Sequence, residues 1–197
     1  MRITGGKFKN REVFSPQDKD GALRPTSSKT RQAVFNLLKH GKFLSQVDFL
    51  TEEQPDILNG RVVADIFCGT GIMAFEACSR GATRLLLVDK NQQTLELAQK
   101  TAKKIGIFDI CTFVRANATT LPAPVTQADL IFFDPPYNKG LVAPSLESIA
   151  KNRWLKSGGV VICEHSQQEK IVDFSPFELL DQRSYGHSLI SILKLTY

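Results

Sequence analysis

Val62-Val63-Ala64-Asp65-Ile66-Phe67-Cys68-Gly69-Thr70-Gly71-Ile72-Met73-Ala74 reads as a buried strand, a tight turn and the first turn of a helix. Gly69 and Gly71 permit backbone torsions barred to other residues and let a ligand approach the chain closely. The next apolar run, Leu85-Leu86-Leu87-Val88-Asp89, ends in a carboxylate that suits the diol of a ribose. Outward from this pair, strands are expected at Val62–Phe67, Arg84–Asp89, Ile110–Arg115, Ala128–Asp134 and Gly159–Glu164. Helices are expected at about Ile72–Ser79, Gln92–Ile105 and Ala143–Lys151. Strands interleaved with helices imply an α/β fold with a mostly parallel sheet and right-handed crossovers. Two β-like runs in succession at the end, Phe177–Ser184 and Ser188–Leu195, imply an antiparallel pairing there.

The ligand of the glycine loop follows from its charges. Gly69-x-Gly71-x-x-Ala74 fits the dinucleotide fingerprint, which serves a pyrophosphate at a helix N-terminus. Asp65, inside the strand, would repel a pyrophosphate and suit a ligand bearing an ammonium group. S-adenosylmethionine has an ammonium group and no phosphates. The competing reading of Asp65 is a cap on the following turn. A dehydrogenase would also want a proton-transfer residue, and none is convincingly placed.

A second signature follows the apolar run Ala128-Asp129-Leu130-Ile131-Phe132-Phe133, namely Asp134-Pro135-Pro136-Tyr137. It falls where a strand's carboxyl end opens into a loop, the edge at which open α/β sheets bind ligands. A carboxylate and a rigidly held backbone carbonyl suit the two N–H hydrogens of an exocyclic amine, and the aromatic ring suits stacking on a flat base. The plainer reading is a Pro-Pro loop that closes a strand with Tyr137 as a packing residue.

The chain has 197 residues, 42% hydrophobic and 23% charged, enough for a full core without staples. No apolar run approaches the ~20 residues of a membrane span, and the first residues lack a signal-peptide core, so a cytoplasmic protein is expected. Cys68, Cys78, Cys111 and Cys163 and the histidines His40, His165 and His187 show no metal-ligand spacing, so no metal is expected and free thiols are. The net charge of +5 is uneven. Residues 1–42 hold ten Lys and Arg against three Asp and Glu, a net of +7, which leaves −2 on the rest. A basic N-terminal segment on a near-neutral body reads as a phosphate-backbone footprint, with a solvated lysine-rich surface as the alternative.

Three parts are expected: a basic arm and helix at 1–42, a connector at 43–60 with a small helix near Phe43–Phe49, and the sheet domain at 61–197. Ile3, Phe8, Val13 and Phe14 suggest a short hairpin. Asp18-Lys19-Asp20-Gly21 signals a turn, and Thr26, Ser27 and Ser28 are candidate caps for the following helix.

With both signatures in hand, the chain resembles class I, S-adenosylmethionine-dependent methyltransferases of the amino-group type, and more narrowly the RsmD family, which methylates the N2 amine of a guanine in bacterial small-subunit ribosomal RNA. The resemblance runs over nearly the whole length. It includes Met1-Arg2-Ile3-Thr4-Gly5-Gly6-Lys7, Arg24-Pro25-Thr26, Ala33-Val34-Phe35-Asn36-Leu37-Leu38 and Glu76-Ala77-Cys78-Ser79-Arg80-Gly81-Ala82. It implies a Rossmann-like, seven-stranded sheet with its last strand antiparallel and an N-terminal extension. Asp65, Phe67, Gly69, Thr70 and Gly71 would surround the methionine part of S-adenosyl-L-methionine, and Asp89 would take the ribose hydroxyls. Lys90 and Asn91 would line the adenine side, and Thr26 would close over the cofactor. Asn117-Ala118 stands where the family commonly has Asp-Ala at the adenine amine, and Cys68 replaces a smaller residue.

The catalytic set would be Asp134, Pro135, Pro136 and Tyr137. Arg2, Lys7, Lys9, Arg11 and Arg31 would bind the phosphates of ribosomal RNA or of the small subunit, with a monomer as the expected state. DNA adenine-N6 methylation uses the same tetrapeptide, but the chain has no separate DNA-reading domain. Protein glutamine methyltransferases carry Asn rather than Asp at its first position. A non-catalytic RNA-binding Rossmann-like module is the non-enzyme alternative. Glu164-His165 reads as a structural pair or as a pair that faces substrate.

Overall fold

The computed structural model describes residues 1–16, 28–169 and 174–197. Its seven strands are β1 Val62–Ile66, β2 Arg84–Asp89, β3 Cys111–Arg115, β4 Ala128–Phe133, β5 Leu155–Ser166, β6 Phe177–Tyr185 and β7 Ser188–Leu195. The helices are α1 Ser28–His40, α2 Ile72–Ser79, α3 Gln92–Ile105 and α4 Val142–Lys151. The strands form one sheet in the order β3-β2-β1-β4-β5-β7-β6. β1 to β5 pair in parallel, and β7 runs antiparallel to both of its neighbours. The expected Rossmann-like class I methyltransferase sheet, with its last strand antiparallel, is the one observed.

The near-continuous apolar runs of β1, β2 and β4 follow from cover on both faces. Alternate residues serve two cores. Val63, Leu85, Leu87, Leu130, Phe132, Val160 and Ile162 pack with Phe35, Phe75 and Leu95 from α1, α2 and α3. Ala64, Ile66, Leu86, Val88, Ile131 and Phe133 pack with Leu146 and Ile149 of α4 and with Trp154. α3 is closed at both ends: the Asn91 side chain accepts from the Gln93 and Thr94 N–H groups, and Gly106 ends the helix in the left-handed region (φ 76°).

β5 begins at Leu155, four residues before the Gly159 that reads as its start. Leu155 pairs with Ala128, a bulge follows, and Lys156 reaches the buried Asp129 at 2.7 Å. The paired edge thus runs through the Gly158-Gly159 kink instead of beginning after it. In the connector, Lys42–Gln46 forms a 3-10 turn, and Phe43, Val47, Ile57 and Leu58 are buried in the first core. At the N-terminus the backbones of Arg2 and Glu12 form an antiparallel β-bridge, and the hairpin they close packs on the far end of α2 through Lys7 N–H to Ser79 O (2.7 Å) and Phe8 N–H to Ser79 Oγ (2.8 Å). The expected turn at Asp18–Gly21 and the caps Thr26 and Ser27 lie outside the described residues.

From β1 the chain moves outward to β2 and β3, and β4 starts the opposite side of the sheet. The crevice of such a sheet lies at the carboxyl ends of the two strands where the order reverses, here β1 and β4.

Candidate active site

Both signatures leave the sheet at that crevice. After Ile66 the chain turns through Phe67 (φ 67°), Gly69 (φ 53°) and Gly71 (φ 80°). Phe67 is a bulky residue held in the left-handed region, and such strain clusters at functional sites. Bonds from Cys68 N–H to Val88 O (3.0 Å) and from Gly71 N–H to Cys68 O (2.7 Å) hold it there. The two glycines serve different ends. A Cβ on Gly71 would stand 2.6 Å from Leu87 Cδ2, so a side chain there would force buried Leu87 to shift. A Cβ on Gly69 would meet nothing within 4 Å among the described residues, which leaves this backbone open to a ligand.

Asp89 clamps the loop from β2. Its Oδ2 accepts the Gly69 N–H at 2.8 Å and its Oδ1 accepts the Asn91 N–H at 2.8 Å. Among the described residues each oxygen accepts this one bond, which leaves a second lone pair for a hydroxyl donor. Asp65 is 3% exposed, and its Oδ2 accepts the Ala74 N–H at 3.1 Å. It therefore does cap α2, whose own cap residue, Gly71, has no side chain to offer. Burial is the largest cause that pushes the Asp65 carboxyl up, to about 7; the charge of Asp89 adds to this and the Ala74 bond opposes it. Cys68 is buried behind the loop, and burial raises its thiol well above the ordinary value.

β4 pairs with β1 so that Phe133 lies opposite Ile66, which sets Asp134 beside Phe67 across adjacent strands. The Phe67 and Phe133 rings meet edge to face at 5.5 Å. In the tetrapeptide, Pro135 is buried, Pro136 is exposed, and Asp134 and Tyr137 are half-buried. The Tyr137 hydroxyl donates to Glu164 Oε1 at 2.6 Å and lies 2.7 Å from Ser188 Oγ. Burial and the Glu164 partner push this phenol far above its ordinary range. Three residues on, the Gly140 N–H donates to Glu169 Oε1 at 3.2 Å. Glu164 is thus part of the tetrapeptide's surroundings, whereas His165 points to the other face and bonds Ser191 Oγ at 2.9 Å.

On the adenine side the polar groups are partly engaged. The Asn91 side chain caps α3, and Lys90 is exposed. Asn117 Oδ1 accepts the Thr119 N–H at 3.1 Å and Ala118 is buried beneath it. Thr26 lies outside the described residues.

Four of the five basic candidates, Arg2, Lys7, Lys9 and Arg11, are exposed. They ride on the hairpin at Ser79, roughly 10 Å along α2 from the glycine loop at 1.5 Å per residue. Arg31 departs from expectation. It is 4% exposed, its Nε lies 3.0 Å from Glu76 Oε1, and its Nη2 donates to Arg2 O. A guanidinium held in the core by a carboxylate does not reach a phosphate, so Arg31 leaves the phosphate-binding set. Glu76 itself, with no exposed surface, also takes Arg80 and the Thr4 N–H. Its signal in the sequence is a lone charge inside Ile72-Met73-Ala74-Phe75-Glu76-Ala77-Cys78.

Comparison with known proteins agrees with this architecture. The family model described as conserved hypothetical protein 95 matches residues 1–194. The ribosomal RNA small subunit methyltransferase D of Escherichia coli is 27% identical over 167 residues, 83% of this chain and 74% of that one. The solved structure of Escherichia coli yhhF superposes with a TM-score of 0.79 at 20% identity, over 100% of this chain and 98% of that chain. An RNA methyltransferase of Salinibacter ruber, solved with S-adenosyl-L-homocysteine, gives 0.60 at 15% identity over 88% and 94%. On a match that spans nearly its whole length, the chain belongs to the conserved hypothetical protein 95 family and is an RsmD-family methyltransferase.

Proposed function

We propose that the protein transfers a methyl group from S-adenosyl-L-methionine to the exocyclic N2 amine of a guanine in small-subunit ribosomal RNA. The observation that carries this reading is the adjacency of the two loops: the glycine loop and Asp134-Pro135-Pro136-Tyr137 leave neighbouring strands, with Phe133 opposite Ile66.

The residues present fit the cofactor. The backbone of Gly69 has no neighbour within 4 Å of a Cβ position among the described residues. Asp89 has lone pairs to spare for a ribose diol, and Asp65 suits the ammonium of the methionine part. The Asp89 carboxylate beside the loop disfavours a pyrophosphate there. When bound, S-adenosyl-L-methionine supplies an electrophilic methyl on a sulfonium. The remaining work falls to the chain. The amine of guanine is a poor nucleophile because its lone pair is delocalised into the ring. The Asp134 carboxylate and the Pro135 carbonyl accept hydrogen bonds from its two N–H groups and localise the lone pair. As the nitrogen takes the methyl from the sulfonium sulfur, the proton then in excess on the nitrogen passes to Asp134 or to water. Pro135 and Pro136 fix that carbonyl, because their ring closure removes backbone freedom. Tyr137 stacks on the base once it has left its neighbours. Most of the gain is orientation of two bound reactants. Arg2, Lys7, Lys9 and Arg11 neutralise phosphates at a distance from the reacting atoms, which positions the RNA without reading its sequence.

The test is methyl transfer from labelled S-adenosyl-L-methionine to small-subunit particles and RNA from cells that lack this protein, followed by nucleoside analysis. N2-methylguanosine is the expected product. Label in N6-methyladenine would move the target, and an absence of both label and cofactor binding would overturn the reading.

A further inference from the structure

The tetrapeptide is fastened from outside. Glu164 and Ser166 share one face of β5, and Ser188 stands opposite Ser166 in the antiparallel pairing with β7. Glu164 and Ser188 therefore come side by side at the sheet's carboxyl edge, under the Tyr137 ring. Both are 8% exposed, so water does not compete freely for their bonds. A phenol has one proton. At 2.6 Å the Tyr137 hydroxyl directs it in a hydrogen bond to the Glu164 carboxylate, a length that marks a charge-assisted bond. Its oxygen is then the acceptor at 2.7 Å, so Ser188 is the donor. With donor and acceptor both fixed on β5 and β7, the hydroxyl's position is fixed, and because a phenolic O–H prefers to lie in the plane of its ring, the direction of these bonds orients the ring.

We infer that Glu164 is a positioning residue for the methyl transfer: through Tyr137, and with the help of Ser188, it holds the aromatic ring in the plane against which the target base stacks. The inference rests on the proposed function for the identity of the substrate, not for the latch itself. A free tyrosine side chain samples several rotamers, and the share of time spent in the stacking one limits productive binding. Glu164 touches no reacting atom in this scheme.

Three variants and two readouts test it. Glu164→Ala should lower kcat/KM for ribosomal RNA about 10-fold to 100-fold, the range expected for loss of a hydrogen bond to a charged group, with S-adenosyl-L-methionine affinity unchanged. Glu164→Gln keeps an oxygen acceptor and should recover most of that loss. In the Tyr137→Phe background, which has no hydroxyl to hold, Glu164→Ala should cost nothing further. A further loss there would mean that Glu164 meets the substrate directly and would overturn the inference, as would a Glu164→Ala enzyme with wild-type kcat/KM. The second readout needs no turnover. The chain has three tyrosines. In protein labelled with 3-fluorotyrosine, Glu164→Ala should shift or broaden the fluorine resonance that Tyr137→Phe removes, while those of Tyr185 and Tyr197 stay. An unmoved Tyr137 resonance would sink the latch. If the wild-type protein methylates no RNA, the proposed function fails while the fluorine spectrum still judges the latch.

Discussion

Replacement of Glu76 by alanine is expected to be the most damaging single change outside the site. The carboxylate has no exposed surface and, among the described residues, three donors: Arg31 Nε at 3.0 Å, the Thr4 N–H at 2.7 Å and the Arg80 guanidinium. Arg31, at 4% exposure, has nowhere to go for hydration once its acceptor is gone. Removing one partner of a buried pair costs about 3–5 kcal/mol, mostly because the other charge stays buried alone. Arg80 is 22% exposed and also lies over the Phe35 ring, so it adds little to that figure. For a chain of this size each kcal/mol lowers Tm by about 2–4 °C, so the expected fall is roughly 6–20 °C. Glu76→Gln keeps an acceptor for Thr4 and Arg31 and should lose less. Urea unfolding with an unchanged m-value would give the stability directly. Hydrogen exchange would report the local consequence, since the Thr4 amide is tied to Glu76 and its protection should collapse with the hairpin's anchor. A loss under about 1 kcal/mol, the scale of an exposed ion pair, would refute the argument that this pair is buried and uncompensated when broken.

Other outcomes follow from the site. Asp134→Ala should lower methyl transfer by about 100-fold or more, the scale of losing one preorganised hydrogen-bonding group at the reacting centre, with cofactor affinity within a few-fold; near-normal turnover would remove Asp134 from the mechanism. Gly69→Ala and Gly71→Ala should separate binding from folding. The first costs about 1–2 kcal/mol for a left-handed alanine and blocks cofactor binding, whereas the second adds about 1–3 kcal/mol of overpacking against Leu87, so equal melting temperatures would contradict the geometry. The carboxyl of Asp65 is raised from 3.8 to about 7 on folding, so between those values the folded chain holds more protons than the unfolded one. That contribution to stability falls as pH rises through the window and is flat above it. Asp65→Asn, neutral throughout, should gain relative to wild type from about pH 4 to 7, and a pH-independent difference in urea midpoints would refute the raised value.

The sequence was most explicit where a residue type answers a local demand. Apolar runs bounded by Gly69, Gly71 and Asp89 located the parallel strands because a strand covered on both faces has no polar alternation to blur it. The Asp134 tetrapeptide was legible because two prolines after an apolar run stop the strand at a definable point. Bounds were less legible where pairing overrode composition, as at β5, whose first residues are recruited by Ala128 across a glycine kink.

Charge was the poorest guide. Arg31 has the same side chain as Arg2 and Arg11, yet the packing of α1 on α2 delivers it to Glu76 and away from solvent. Composition also could not place the hairpin: its basic residues sit at the far end of α2 because Ser79 and Glu76 bond its backbone, pairings about seventy residues apart along the chain. The same holds for Tyr137, read as a stacking ring from its neighbours in sequence, whose fixed plane depends on Glu164 and Ser188. The sequence by itself determined the order of strands and helices, the glycine loop and the chemical character of the tetrapeptide, since these depend on local backbone freedom and residue type. Only the tertiary structure decided which charges are spent in the core and which side chains hold the site rigid, because burial and long-range hydrogen bonds exist only once the sheet has brought distant residues together.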